Sequence, residues 1–322
     1  MNELIFSLNT VLPLILLVAL GFVIKKSGLL PSDFFNSAEK LVFKIALPCS
    51  LFLSVSRADP YQTFSPKLIL FVIIGTLVSV TAIALIAPLF IKKNEERGAF
   101  IQGAYRSNFA LLGTPLAQRL FPETGGAVAS SLMPFTIPLF NVIAVIILSL
   151  FAPIDKKLPP SKIAKKTVKG IITNPLIIGI ALALPFMLLR IELPTIAVAT
   201  LDYVGGLASP LALICIGASI AGGMELNKLG KAFVSAGLKV VIIPALAVTA
   251  AILLGFRDVE LGMILITFGS PMAVTGYIMA KNMGSDEKLA GQILLISTVL
   301  CAFTLFFGIY ILTSLSLIPM TI

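Results

Sequence analysis

The strongest constraint on this chain is a series of apolar runs, each about 20 residues long, that recur along its whole length. A bilayer core about 30 Å thick needs roughly 20 apolar residues in each helix that crosses it. Ten such runs are present, at 5–24, 34–55, 67–91, 98–120, 127–152, 170–189, 197–222, 231–254, 260–281 and 287–313. Only 12% of the residues are charged, about half of what a soluble protein carries. The sequence therefore predicts an all-α polytopic membrane protein with ten transmembrane helices.

The net charge is +9, but the positions of the basic residues indicate the membrane topology rather than a nucleic-acid-binding patch. The loops after runs 1, 3, 5, 7 and 9 carry fifteen lysines and arginines, whereas the opposite loops carry five. Because positive residues stay on the cytoplasmic side, we expect a multi-pass protein of the cell (inner) membrane with both termini outside the cytoplasm. The most basic connection, 153–169, is predicted to be a cytoplasmic loop whose lysines contact anionic lipid headgroups.

The residue types present exclude most catalytic classes. The chain has no histidine, which removes Ser-His nucleophiles, HExxH zinc sites and most general-base schemes. No nucleotide-binding fingerprint lies in a soluble segment. Cys49, Cys215 and Cys301 stand far apart in apolar runs, so neither a disulfide nor a metal site is indicated. We therefore expect a protein that is not an enzyme, with no cofactor other than a coupling ion such as H⁺ or Na⁺.

Three proline pairs indicate an internal repeat. They are Pro13 with Pro175, Pro31 with Pro194, and Pro48 with Pro210, each separated by 162 or 163 residues. The sequence thus predicts a first five-helix repeat over 1–152, the basic loop 153–169 and a second five-helix repeat over 170–322. An odd number of spans gives the two repeats opposite orientations in the bilayer. Inverted repeats of this kind are typical of secondary transporters.

Runs 4 and 9 contain residues that disfavour a continuous helix. Run 9 contains GSPMAVTGY at 269–277, and an offset of 164 residues brings Ser107-Asn108 of run 4 opposite Pro271-Met272. Pro115 and Pro271 have no N–H for the carbonyl four residues earlier. At the depth of the membrane, such free carbonyls are tolerated only where they are buried in protein or face a cavity. We therefore expect helices 4 and 9 to be broken at matching positions, which points to a binding site near the midplane of the membrane.

Five motifs resemble those of the auxin efflux carrier family, in its bacterial branch of malate or malonate permeases. They are LVFKIALPCSLFLSV (41–55), SNFALLGTPL (107–116), Asn174-Pro175, GGLASPLALICIGASI (205–220) and SPMAVTGYIMAK (270–281). The resemblance covers essentially the whole chain. It implies a scaffold of helices 1, 2, 6 and 7, and a transport part in which helices 4 and 9 are broken and crossed. Plant members usually have Pro-Asn at the first break, where this chain has Ser107-Asn108, so the resemblance leaves open whether helix 4 is fully unwound there. Plant members also have a long central cytoplasmic loop, which 153–169 replaces here, so neither plant-type phosphoregulation nor auxin as the substrate is implied.

The candidate substrate-binding residues are polar or lie at the two breaks. They are Ser107, Asn108, Thr114, Pro115, Thr136, Asn141, Ser270, Pro271, Met272, Thr275 and Tyr277. Asn108 can both donate and accept hydrogen bonds, although an interhelical bond is the structural alternative for any of these side chains. On an unbroken helix, Arg106 would point roughly 160° away from Asn108, which favours a structural role for the arginine.

Three charged residues are candidates for ion coupling or charge pairing: Lys40, Arg106 and Asp202. Asp202 matches Lys40 at the 162-residue offset, so one hypothesis is a contact between them across the pseudo-twofold axis. The other is that Asp202 binds a proton or cation. Glu39 and Lys40 near the end of run 2 are interpreted as a solvated pair.

These features together favour a secondary active carrier of small organic anions, such as malate or malonate, that works by alternating access. A sodium-coupled symporter of the bile-acid type and a passive anion channel are the alternatives. The expected partners are the anion and the lipid bilayer, with no nucleic acid. The sequence leaves the substrate, the direction, the coupling ion and the oligomeric state open, and a homodimer is one option for the last.

Overall fold

The computed structural model describes residues 2–57, 65–152, 160–223 and 225–319, and these are helical almost throughout. The α-helices are α1 (Asn2–Lys26), α2 (Ser32–Leu41), α3 (Leu47–Ser56), α4 (Pro66–Phe90), α5 (Asn94–Tyr105), α6 (Thr114–Leu120), α7 (Gly125–Leu150), α8 (Pro160–Ile172), α9 (Pro175–Leu189), α10 (Thr195–Gly206), α11 (Ala208–Ala221), α12 (Leu229–Gly237), α13 (Ile243–Leu253), α14 (Asp258–Gly269), α15 (Thr275–Asn282) and α16 (Glu287–Ser314). Within these ranges, the bridge between Ser107 and Met272 is the one β-type pairing.

Five helical stretches in the described part of the chain are long and apolar enough to cross a membrane. They are Pro66–Phe90, Gly125–Leu150, Thr195–Ala221, Leu226–Leu253 and Glu287–Ser314, and the shorter α9 is also apolar. Large apolar side chains at their ends, such as Phe90 and Leu253, are exposed, as lipid-facing residues should be. The structure thus has the character of a multi-pass helical membrane protein, while the ten-span inverted repeat stays a prediction.

Three proline residues account for three wide turns inside the helical segments. The π-helical turns Val42–Ala46, Phe109–Gly113 and Leu238–Ile242 each end two residues before a proline, which is Pro48, Pro115 or Pro244. The residue before each proline donates its N–H to the carbonyl five residues back, as Leu47 does to Val42. Proline has no N–H and its ring displaces the carbonyl four residues earlier, so the turn widens.

Two segments are broken outright rather than widened. Helix α5 ends at Tyr105 and helical structure resumes at Phe109, while α14 ends at Gly269 and α15 begins at Thr275. The backbone of Ser270 is extended, as is usual for a residue that precedes proline. Both breaks therefore lie where the sequence predicts them, whereas the later Gly-Thr-Pro cluster of the first segment only widens its helix.

The basic connection is partly helical, so the prediction of a loop over 153–169 is wrong for its second half. Residues 160–172 form α8, and residues 153–159 lie outside the described residues. Pro160 suits the first turn of a helix, and lysines alternate with apolar residues at helical spacing in the sequence that follows. The next helix opens at Pro175, where the Asn174 side chain accepts the N–H of Leu176 at 2.9 Å as an N-cap.

Cysteine labelling on either side of the first broken segment tests the predicted topology. Lys93 precedes α5 and Glu123 follows α6, and both side chains are exposed. In a background without the three native cysteines, we expect Lys93→Cys to react with an impermeant maleimide only after the cells are opened. Glu123→Cys should react on intact cells, because the more basic loops stay cytoplasmic. The orientation would be reversed if intact cells labelled the first variant and protected the second.

Candidate substrate site at the two helix breaks

The two helix breaks meet through their backbones. Ser107 and Met272 form an antiparallel bridge, and the N–H of Asn108 donates to the carbonyl oxygen of Pro271 at 2.9 Å. The N–H of Met272 donates to Ser297 Oγ at 3.2 Å. These bonds satisfy main-chain groups that would otherwise be unpaired in a low-dielectric interior. The structure thus brings together the two dipeptides that the 164-residue offset matched.

Arg106 is the charged residue at this meeting point, and its side chain is buried. Its Nη2 donates to Asn141 Oδ1 at 2.7 Å and to Thr275 Oγ1 at 2.6 Å. Its Nη1 lies 2.6 Å from Met279 Sδ. When the amide of Gln102 takes the orientation that satisfies its neighbours, its oxygen accepts from the same Nη1 at 2.9 Å. Arg106 therefore links α5 to α7 and α15 through neutral partners.

The positive charge of Arg106 has no counter-ion within the described residues. None of the ion pairs there includes this side chain. Burying a charge costs several kcal/mol, which neutral acceptors offset only in part. Helix α15 begins at Thr275, so the positive end of its dipole lies beside the guanidinium and adds to the local positive potential. The arrangement favours the binding of an anion.

Two polar side chains at the first break have hydrogen-bonding capacity to spare. Ser107 Oγ is buried and has no partner in the described ranges. The Asn108 side chain is half-buried and forms no hydrogen bond with any residue that the structure describes. Buried polar groups are normally paired, so unused ones beside a buried cation are available to a ligand.

Some of the other candidate substrate-binding residues contact Arg106, and the rest bond within their own helices or lie elsewhere. Asn141 and Thr275 contact Arg106, as described above. The hydroxyl groups of Thr114, Thr136 and Ser270 donate to carbonyls of their own helical segments at 3.4, 2.9 and 2.7 Å. Pro115 is exposed on α6, and Tyr277 bonds to a residue of α2.

The helical-wheel argument that separated Arg106 from Asn108 does not apply to this structure. It assumed a continuous helix, but α5 ends before both residues. Arg106 has φ −71° and ψ 123°, and Asn108 has φ −89° and ψ 41°. A rotation of 100° per residue holds only inside an α-helix. The wheel angle therefore gives no reason to exclude Arg106 from substrate contact.

The hypothesis that Lys40 contacts Asp202 is wrong. Asp202 on α10 pairs instead with Arg57 at the end of α3, with Nη2 and Oδ2 3.4 Å apart and side chains 49% and 57% exposed. Lys40 precedes Arg57 by 17 residues in the same interrupted helix, or roughly 25 Å along its axis. Corresponding residues of inverted repeats come into contact only close to the axis that relates them, so the sequence match did not imply contact.

Glu39 is the buried member of an ion network that also includes Lys281 and Glu287, and its interpretation as a solvated partner of Lys40 is wrong. Its Oε1 accepts a hydrogen bond from the Tyr277 hydroxyl at 2.9 Å, and its Oε2 lies 2.6 Å from Lys281 Nζ. Lys281 also pairs with Glu287 at 2.9 Å. This network joins α2 to α15 and α16, and it ties Tyr277 to an acidic side chain rather than to Arg106.

Two large cavities in the described part of the chain lie away from the site. One of about 490 Å³ lies between α1, α3, α10 and α11 and includes Arg57 and Asp202. The other, of about 820 Å³, is an apolar groove between α4 and α13. Neither is lined by Arg106 or Asn108. The candidate site is therefore identified by its unpaired charge and unused polar groups, not by volume.

An all-helical membrane chain with a buried cation where two broken helices meet has the organisation of a membrane transporter. A family model described as Membrane transport protein matches residues 6–309, so the chain belongs to that family. The match confirms the resemblance to the auxin efflux carriers. The family and the relatives below are named as transporters and not as enzymes.

Three relatives match nearly the whole chain. An "Uncharacterized transporter" of Methanothermobacter thermautotrophicus is 25% identical over 297 residues, which is 91% of this chain and 94% of the relative. "Uncharacterized transporter MJ1031" of Methanocaldococcus jannaschii is 23% identical over 301 residues, or 90% and 94% of the two chains. A "Putative malonate transporter" of Rhizobium meliloti is 25% identical over 314 residues, or 94% and 95%.

Proposed function

We propose that this protein is a secondary active carrier of small organic anions, mono- or dicarboxylates such as malonate or malate, and that it works by alternating access. The observation that carries the proposal is the buried Arg106, which has only neutral partners at the point where the two broken segments meet. The name of the Rhizobium meliloti relative supports the same substrate class. The ten-span inverted repeat and the position of the site at the midplane belong to this proposal.

A substrate carboxylate supplies the negative counter-charge that Arg106 lacks within the described residues. Charge-assisted hydrogen bonds between a guanidinium and a carboxylate are roughly twice as strong as neutral ones. The amino-terminal end of α15 stabilises the same negative charge, while the unused amide of Asn108 fixes the orientation of the anion. Because Asn108 is bonded to Pro271 through the backbone, the two breaks move together as the site changes sides.

The two alternatives make different predictions for transport. A passive channel would pass anions without saturation and without counterflow. A sodium-coupled symporter of the bile-acid type would lose uptake when sodium is removed from both sides of the membrane. Counterflow that saturates and persists without sodium is expected only of the carrier proposed here.

Thermal stabilisation by organic acids tests the substrate class directly. We expect malonate or malate to raise the melting temperature of the purified protein, because a ligand at 100 times its dissociation constant adds about 2.7 kcal/mol to stability. Malonamide is the matched control, since it keeps the size of malonate without its charge, and it should produce no shift. The proposal fails if no mono- or dicarboxylate stabilises the protein and none supports counterflow in proteoliposomes.

A further inference from the structure

Lys239 is a buried lysine whose ammonium group bonds to the end of a broken helix. Its side chain is 0% exposed, and its Nζ donates to the carbonyl oxygen of Phe268 at 2.5 Å. Lys239 lies in the π-helical turn that precedes α13, and Phe268 is the penultimate residue of α14. No ion pair of the described residues includes Lys239.

The Phe268 carbonyl is available because α14 stops there. In a continuous helix it would accept the N–H of Met272, which here donates to Ser297 Oγ. Pro271 has no N–H, so the carbonyl of Thr267 also loses its helical donor. Thr267 Oγ1 is buried and has no partner in the described ranges. The carboxyl end of α14 thus gathers oxygen atoms without helical donors at the negative end of the helix dipole.

Oxygen atoms of this kind bind coupling cations in transporters with broken helices, where half-helix carboxyl ends coordinate Na⁺ or H⁺. In this chain, a covalently attached ammonium group already donates to one of them. We propose that Lys239 is a tethered cation that takes the place of a bound coupling cation at the carboxyl end of α14. Transport of the anion then requires no sodium. The transport part of this inference rests on the proposed function, while the bonding part does not.

Replacing Lys239 by alanine removes three methylene groups and the ammonium group, which together have the shape of n-propylammonium. We expect Lys239→Ala to melt at a lower temperature than the wild type and to exchange anions roughly 10- to 150-fold more slowly, as for loss of a hydrogen bond to a charged group. n-Propylammonium should restore both properties in part. 1-Propanol has nearly the same size without the charge and should restore neither.

Lys239→Met separates charge from packing, because methionine keeps an unbranched side chain of similar length. We expect the methionine variant to lose exchange, whereas Lys239→Arg retains part of it. Lys44→Ala is the matched control: Lys44 lies in the π-helical turn before α3 but has an exposed side chain. This control should exchange anions normally and should not respond to n-propylammonium.

Sodium replacement completes the test. Wild-type exchange should be equal in sodium chloride and in N-methylglucamine chloride.

The inference is overturned if wild-type exchange stops without sodium, if Lys239→Met exchanges normally, or if 1-propanol rescues Lys239→Ala as well as the amine does. If Lys239→Ala cannot be purified, expression with n-propylammonium must recover folded protein, and failure to do so also overturns it. Because melting is read without substrate, an absence of anion exchange in the wild type would refute the proposed function alone.

Discussion

Replacing Arg106 by glutamine is expected to weaken anion binding by at least one order of magnitude, and to slow counterflow accordingly, in a protein that remains folded. Glutamine keeps a neutral hydrogen-bonding amide, but it removes the buried positive charge that now donates to Asn141 and Thr275. Loss of a hydrogen bond to a charged ligand costs about 1.5–3 kcal/mol, and truncation of a buried charged partner costs about 2–5 kcal/mol. Affinity for malonate should therefore fall by at least roughly 10-fold and up to several thousandfold, measured by thermal shift and counterflow.

The melting temperature without ligand separates a binding role for Arg106 from a structural one. An uncompensated buried charge is costly, so its removal should leave the stability of the ligand-free protein unchanged or raise it. Arg57→Gln is the matched control, because Arg57 forms an exposed pair worth about 0–1 kcal/mol. Normal malonate binding by Arg106→Gln, together with a fall in its melting temperature, would return Arg106 to the structural role that the helical wheel favoured.

Arg106→Lys and Asn108→Ala refine the same experiment. Lysine keeps the charge but lacks the planar fork of donors, so we expect a smaller loss of affinity than in Arg106→Gln. Asn108→Ala removes an amide that makes no hydrogen bond with any described residue, so folding should be unaffected and affinity should fall less than in Arg106→Gln. A larger loss for the alanine variant would make Asn108 the principal anchor.

The places where the helices break were predictable because they depend on local chemistry and on the match between the two halves of the sequence. Pro271 removes a donor and disfavours helical backbone at Ser270, and both effects act whatever the fold. The first break has no proline, and it was predicted only by matching Ser107-Asn108 to the second. In the structure, a backbone bond between the two segments pairs the Asn108 N–H with the Pro271 carbonyl, whereas side chains pair with the Met272 N–H and the Phe268 carbonyl.

The partners of the buried charges were not predictable, because they come from helices distant in sequence. Arg106 bonds to side chains 35 and 169 positions away, and Lys239 to a carbonyl 29 positions away. Glu39 is different, because a local signal existed. Phe35, Ala38 and Val42 are apolar at helical spacing around it, which places Glu39 on the inward face of α2.

The ion network around Glu39 gives the second large expected effect, a loss of stability. In Glu39→Gln, the Tyr277 hydroxyl keeps an acceptor, but the half-buried Lys281 loses one of its two carboxylate partners. Removal of one member of a fully buried pair costs about 3–5 kcal/mol, and we expect a loss near or below the lower end of this range, because Lys281 is partly exposed and Glu287 remains. Tyr277→Phe should cost only about 0.5–1.5 kcal/mol, as for a single hydrogen bond. Both values are measured as changes in melting behaviour of the purified protein.

A double-mutant cycle determines whether the Glu39–Lys281 contact itself produces this loss. Glu39→Gln combined with Lys281→Met should lower stability by less than the sum of the two single variants, because each single variant already removes the contact between the two side chains.

The contact joins α2, which the family resemblance assigns to the scaffold, to α15 in the broken segment of the transport part. If alternating access moves these parts relative to each other, the contact must open in every cycle. Weakening it should then change the rate of exchange as well as stability. Strictly additive losses with unchanged exchange would show that the pair neither couples the two helices nor gates their movement.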